Sequence, residues 1–137
     1  MGLYLCVFEN DEELDGVEVG AYSDYNFFID AVVRELEDGK PGSKYPTLVL
    51  HSDSDGAWDA GDCQKLQAEL VEIAEKLMAL PSVEYQAEWQ RNVAKEFSLT
   101  NDRLFDSFID VDGEPLIERI LGLVTLARKK NQPVLFQ

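Results

Sequence analysis

Carboxylates recur at alternate positions in two short phrases of this sequence, and each phrase contains a glycine directly after the second carboxylate. The first phrase is His51-Ser52-Asp53-Ser54-Asp55-Gly56, and the second is Phe108-Ile109-Asp110-Val111-Asp112-Gly113-Glu114. Each follows an apolar run of strand length, and its glycine can turn the chain. A metal ion, a phosphoryl-transfer reaction or a cationic partner would each suit such a spot.

A calcium loop of the EF-hand type fits neither phrase. That loop needs oxygen ligands at its first, third, fifth and twelfth positions and a glycine at its sixth. Aligning Gly56 with the sixth position puts His51 first, and aligning Gly113 there puts Phe108 first. Neither side chain suits calcium, so we expect no metal site and no bound cofactor.

The second phrase is similar to the first motif of the haloacid-dehalogenase-like phosphatases. That similarity implies a magnesium-dependent phosphohydrolase with Asp110 as nucleophile and Asp112 as acid/base. The context argues against it, because Glu114 stands where those enzymes usually have Thr and little chain follows for their later motifs. We favour residues that turn the chain and cap a helix near Pro115. We therefore predict no enzyme and keep the phosphohydrolase as the alternative.

Two further side chains near the first phrase are candidates for a role. His51 is the only histidine, but no nucleophile is marked by a motif such as G-x-S-x-G. A histidine at a strand end is more often a hydrogen-bonded structural residue. Trp58 lies in a polar stretch and is either an accessible anchor for a partner or a ring that seals the core. The sequence leaves both interpretations of Trp58 open.

The charge of the chain favours either a basic partner or simply high solubility. Its 137 residues include 27 Asp and Glu against 12 Lys and Arg, a formal net charge of −15. This balance argues against nucleic acids and anionic membrane surfaces as partners, since their phosphates would be repelled. Twelve of the carboxylates fall in residues 9–15, 53–62 and 110–114, which contain no Lys or Arg.

The compartment is predicted from the two cysteines and from the N-terminus. Cys6 and Cys63 have no neighbours spaced like metal ligands, so we expect two free buried thiols in a reducing compartment. The apolar start of the chain lacks a basic flank and is too short for a signal peptide. We therefore expect a cytoplasmic protein.

Apolar runs and helical periodicity define the elements that position the acidic segments. Main strands are predicted at 3–8, 47–50, 104–109 and 133–136, with an acidic loop at 9–16, a short edge strand at 17–21 and helices between the main strands. The strongest predicted helix has Asp59 as its N-cap and an apolar seam at Cys63, Leu66, Leu70, Ile73, Leu77 and Leu80. This order predicts one α/β domain over residues 1–137, with a mostly parallel or mixed sheet of about four to five strands and about three to four helices packed on it.

Parallel strands would bring the three acidic segments together at one edge of the sheet, where ligands of open α/β sheets bind. We therefore predict a single acidic surface that contacts a basic partner. Its predicted contact residues are Asp53, Asp55, Trp58, Asp110, Asp112 and Glu114.

Several phrases in a fixed order carry a resemblance to a known family. They are Gly2-Leu3-Tyr4-Leu5-Cys6-Val7-Phe8, residues 12–20, residues 51–58, residues 108–116 with Glu118-Arg119, and the ending Gln132-Pro133-Val134-Leu135-Phe136-Gln137. Together they resemble the immunity protein 70 family of bacterial polymorphic toxin systems over essentially the whole chain. The resemblance implies a binding protein that neutralises a cognate toxin. It supplies no catalytic residues and does not identify the toxin.

Overall fold

In the computed structural model, residues 2–53 and 56–137 are described. Their strands are β1 (Gly2–Glu9), β2 (Glu12–Ala21), β3 (Ala57–Trp58) and β4 (Val134–Phe136). Their helices are α1 (Tyr22–Leu36), α2 (Pro46–Val49), α3 (Ala60–Leu77), α4 (Glu88–Glu96) and α5 (Leu116–Lys130), with a 3₁₀ helix at Leu104–Ser107. The predicted α/β class is confirmed, although the prediction of three to four helices is too low.

The sheet is antiparallel, so the prediction of a mostly parallel or mixed sheet is wrong. Its strand order is β2-β1-β4-β3, and each adjacent pair runs antiparallel. The cause lies in the first connection, where Asn10 and Asp11 both adopt left-handed backbone with φ of 53° and 66°. Two such residues form the type I′ turn that favours tight hairpins. Most of residues 9–15, expected as a loop, therefore belong to strands.

Two predicted strands are helical instead. Residues 47–50 lie mostly in α2, which starts at Pro46, and residues 104–109 begin with the 3₁₀ helix. The Glu69 carboxylate accepts hydrogen bonds from the backbone N–H groups of Thr47 at 3.2 Å and Leu48 at 3.0 Å, and so caps α2 from a distant helix. Short apolar runs suit a buried helical turn as well as a strand, so the local sequence did not distinguish them.

Helix α3 follows the sequence prediction closely. The Asp59 Oδ1 atom accepts a hydrogen bond from the Asp62 N–H at 2.7 Å, and Asp62 Oδ2 accepts one from the Asp59 N–H at 3.2 Å. This reciprocal pair satisfies two donors that the helix itself leaves open. The apolar seam of the helix is buried throughout, at Cys63, Leu66, Leu70, Ile73 and Leu77. Within the described residues, no helix is long and apolar enough to cross a membrane.

The helices cover one face of the sheet. Leu3, Leu5 and Val7 of β1 join a core made with the apolar sides of α1, α3 and α5. The intervening residues of β1 stand outside that core, because successive side chains of a strand point to opposite faces. We call this opposite side the outer face and define it by Tyr4, Cys6, Phe8, Glu13, Glu18 and Leu135.

Candidate functional site

Asp110 organises the loop that contains it. Only 1% of the residue is exposed, and its Oδ1 atom accepts hydrogen bonds from the N–H groups of Asp112 and Glu114, both at 3.0 Å. Gly113 turns the chain with a φ of 83°. The predicted turn role of Asp110 is confirmed. Asp110 does not cap α5. The N-cap residue of that helix is Pro115, and no side chain forms a capping hydrogen bond there.

Arg119 connects this loop to the sheet. Its Nε atom lies 3.4 Å from Asp110 Oδ2, and its Nη2 atom donates to the Gly16 carbonyl at 2.8 Å and lies 3.6 Å from Asp15 Oδ1. The Val111 N–H also donates to the Glu18 carbonyl at 3.1 Å, which lays the loop along the free edge of β2. Two of the twelve carboxylates therefore have a cation partner that sequence spacing did not reveal.

The geometry around Asp110 does not suit a nucleophile. One carboxylate oxygen is held by two backbone N–H groups, and the other faces Arg119. A phosphorus atom would have to reach an oxygen that is both buried and already paired. Among residues 2–53 and 56–137, no group of three or more His, Cys, Asp or Glu side chains is arranged to hold a metal ion.

Trp58 belongs to the core, so its interpretation as an accessible anchor is wrong. The residue is 1% exposed, its Nε1–H donates to the Thr47 carbonyl at 3.0 Å, and its ring meets Phe136 edge-on at 4.7 Å between centroids. The His51 ring stacks on Phe136 at 4.4 Å. Its two nitrogens lie 2.8 Å from the Ser52 carbonyl and 3.0 Å from the Ala57 carbonyl. His51 therefore has the structural contacts that the sequence favoured.

The described residues of the two acidic phrases lie at opposite edges of the sheet. Asp53 comes just before β3, which is one edge strand, and accepts a hydrogen bond from Asn26 Nδ2 at 2.7 Å. Loop 110–114 lies along β2, which is the other edge strand. The prediction that three acidic segments share one edge is therefore wrong, because it depended on parallel strands. Asp55 lies outside the described residues.

The outer face is a feature that sequence reasoning missed. The Tyr4 hydroxyl donates to Glu13 Oε2 at 3.1 Å, and the strand register pairs Phe8 with Glu13 and Tyr4 with Glu18. Cys6 sits between the two aromatic residues and is 1% exposed. Burial raises the pKa of the Cys6 thiol, and the Glu13 carboxylate raises it further. The available signal was the unbroken apolar run at 3–8, which suggested a strand covered on both faces.

Comparison with known proteins now decides the family. A sequence model described as immunity protein 70 matches residues 3–136, nearly the whole chain. The chain belongs to the immunity protein 70 family. Neither a curated protein nor a solved structure matches it. Membership places the chain in a toxin system, as its immunity component, and implies a toxin as partner.

The immunity protein 70 fold decides which predicted contact residues another protein can reach. Asp112 and Glu114 are exposed, and Asp53 is half-buried. Trp58 and Asp110 are buried, so neither side chain can form a contact without a rearrangement of the core or of the loop. The accessible carboxylates of this family member therefore lie at separate places on its surface.

Proposed function

We propose that this protein binds the cognate toxin of its toxin system and neutralises it by blocking the toxin's functional surface, without catalysing a reaction itself. The match of the immunity protein 70 family to residues 3–136 is the observation that carries this proposal. The burial of Asp110 supports the binding role over the phosphohydrolase, because that carboxylate already holds its own loop.

We further propose that the contact is made by an acidic surface and that the toxin brings a basic one. The support is the net charge of −15 and the exposure of Asp112 and Glu114. A surface of one sign speeds association with a partner of opposite sign and suppresses wrong partners. The same charge disfavours nucleic acid and membranes as partners. The proposed place of action is the cytoplasm of the toxin-producing cell.

The test uses the toxin domain encoded beside the gene for this protein. Expressed alone in a bacterial host, that domain should arrest growth, and co-expression with this protein should restore it. The two purified proteins should also elute together as a complex. A toxin domain from an unrelated system serves as control, and its toxicity should persist. Rescue without any complex would contradict the binding mechanism.

A second assay addresses the enzymatic alternative. The purified protein is incubated with a generic phosphate ester and Mg²⁺, next to the Asp110→Asn variant. We expect no turnover above the rate without protein. Turnover that is present in the natural protein and absent from the variant would favour the phosphohydrolase.

A further inference from the structure

The outer face carries apolar side chains where a solvated sheet face usually carries polar ones. In an antiparallel sheet with helices on one side, the strands normally alternate between apolar and polar residues. Here the outward positions of β1 are Tyr4, Cys6 and Phe8, and the neighbouring position of β4 is Leu135. Tyr4, Phe8 and Leu135 are half-buried, and Cys6 is buried. All four lie outside the cluster of apolar side chains that joins the sheet to the helices. Their apolar surface is therefore not required to hold the helices on the sheet.

The charged residues of the strands that carry this apolar stripe are all acidic. The four strands contain no Lys, Arg or His, but they contain five acidic residues, namely Glu9, Glu12, Glu13, Asp15 and Glu18. Asp15 has Arg119 as its partner. Glu13 and Glu18 are exposed beside the stripe, and no Lys or Arg of the described residues forms a salt bridge with either. The outer face thus combines apolar surface with unneutralised carboxylates.

The centre of the outer face is held in place before any partner arrives. The Tyr4 ring lies directly over Gly16, where an added Cβ atom would collide with the phenol oxygen. Its hydroxyl is also fixed by the hydrogen bond to Glu13. A glycine covered by an aromatic ring from the adjacent strand is a known way to stabilise a sheet. A surface whose side chains are already ordered loses little entropy on binding.

We propose that the toxin docks on the outer face. The inference rests on the proposed function and names the surface that performs it. Arg or Lys side chains of the toxin pair with Glu13 and Glu18, while their aliphatic stems and a neighbouring apolar side chain cover Phe8 and Leu135. Basic residues suit this surface because they combine a charged head with an apolar stem and bind favourably over aromatic rings.

A second copy of the protein fits the outer face less well. Two outer faces in contact would bring together the Glu13 and Glu18 carboxylates of both chains, with no cation on either face. Burying like charges without partners is unfavourable, because each carboxylate loses water and gains only repulsion. A basic partner removes this cost and gains ion pairs instead. Charge therefore selects a basic protein over self-association.

The first experiment compares two charge-reversed surfaces. The probe is the toxin domain encoded by the adjacent gene, inactivated by a substitution in its own active site. Its affinity and rates are measured for the natural protein, for Glu13→Lys/Glu18→Lys and for the matched control Glu75→Lys/Glu96→Lys on α3 and α4. Both double variants replace two exposed carboxylates with two ammonium groups. We expect the outer-face variant to bind about 100-fold more weakly or worse, and the control to change by less than about threefold.

The second experiment tests the apolar part of the surface. Phe8→Ala removes an aromatic ring from the outer face, and Phe97→Ala removes a ring that is 56% exposed elsewhere. We expect Phe8→Ala to weaken toxin binding about tenfold or more and Phe97→Ala to leave it nearly unchanged. Because Phe8 stands outside the core, this variant should keep its fold, which thermal melting verifies. If charge reversal disturbs folding, the Phe8→Ala variant still tests the inference.

Three results would overturn the inference. If the natural protein binds and both outer-face variants bind equally well, the toxin uses another surface and the proposed function stands. Loss of binding in Glu75→Lys/Glu96→Lys alone would place that surface at α3 or α4. If the natural protein does not bind the adjacent toxin at all, the proposed function and this inference fail together. A dimer in sedimentation velocity that Phe8→Ala dissociates, with toxin binding unchanged, would assign the face to self-association.

Discussion

Loop 110–114 and the outer face are both acidic, but their carboxylates differ in burial and in the partners they have within the chain. Asp110 is buried, and its oxygens are used by two backbone N–H groups and by Arg119. Glu13 and Glu18 are exposed beside apolar side chains, and Glu13 accepts a hydrogen bond from the Tyr4 hydroxyl. The loop has a completed set of interactions within the chain. The outer face has exposed carboxylates and apolar side chains that are available for contacts with another molecule.

The difference shows which carboxylates belong to folding and which are free for binding. A charged group can be buried only if hydrogen bonds and opposite charge replace the water it loses. Asp110 meets that condition within its own chain, so its alternation with Asp112 and its nearby glycine reflect turn chemistry. Exposed carboxylates next to apolar surface have no such explanation in the fold. Burial and partners separate the two cases, whereas spacing along the sequence does not.

The largest expected effect concerns a buried carboxylate outside both acidic phrases. Glu37 is 1% exposed and accepts hydrogen bonds from the N–H groups of Gly42 at 3.0 Å, Lys44 at 2.9 Å and Tyr45 at 2.8 Å. Glu37→Ala leaves three donors unpaired in the turn before α2. We expect the free energy of unfolding to fall by about 4 kcal/mol, measured by urea denaturation.

The control for this change is Glu35→Ala on the same helix. Glu35 is exposed, and its carboxylate pairs with the Arg34 guanidinium at 3.0 Å on the surface. Such a pair contributes little, so the variant should stay within about 0.5 kcal/mol of the natural protein. Equal stabilities for the Glu37 and Glu35 variants would show that burial and backbone partners do not identify folding carboxylates.

Asp110 should give the next largest effect. Asp110→Ala removes the acceptor for two loop N–H groups and leaves Arg119 without one of its two carboxylates. We expect the free energy of unfolding to fall by about 3 kcal/mol in urea denaturation. Asp112→Ala, an exposed neighbour in the same loop, should change it by no more than about 0.5 kcal/mol. Similar losses in both variants would contradict the distinction between buried and exposed carboxylates in this loop.

Long periodic segments and strong caps were predictable from the sequence. Helix α3, with Asp59 as its cap and its buried seam, matches the prediction because many residues repeat one pattern. The strands at 3–8 and 133–136 were also found. Short apolar runs failed, because α2 is stabilised by Glu69 from another helix. The direction of the strands failed because one pair, Asn10-Asp11, forms a hairpin turn that was interpreted as loop.

The candidate site was harder to predict than the fold. Its acidic phrases were grouped by assuming parallel strands, and the antiparallel order separates them. Arg119, the partner of Asp110, could have been predicted from the sequence. It is the first cationic residue after the loop and lies in the first turn of α5. Predicting the outer face requires knowing which face of the sheet the helices cover. An apolar run at 3–8 cannot distinguish coverage by a helix from coverage by a partner.

The two cysteines offer a way to compare the core with the outer face directly. Burial raises the pKa of the Cys63 thiol to about 11, and Cys63 lies within the core. Cys6 stands on the outer face, next to Leu135 of β4, and lies outside the core cluster. In Phe8→Ala at pH 8, we expect a thiol reagent to label Cys6 at least about tenfold faster than in the natural protein, with Cys63 unchanged. Mass spectrometry after brief labelling measures both. Equal acceleration at both thiols would mean that Phe8 supports the whole fold.

The smallest expected effect is on stability at the outer face. Glu13→Gln/Glu18→Gln keeps the shapes of both side chains and removes two of the negative charges that give the chain its net −15. Because neither carboxylate has a cation partner among the described residues, no favourable ion pair is lost. Reduced self-repulsion offsets the weakened Tyr4 hydrogen bond, so the free energy of unfolding should stay within about 0.5 kcal/mol. Urea denaturation at low and high salt measures this. A loss above about 2 kcal/mol at both salt concentrations would assign these carboxylates to folding and end the contrast with Asp110.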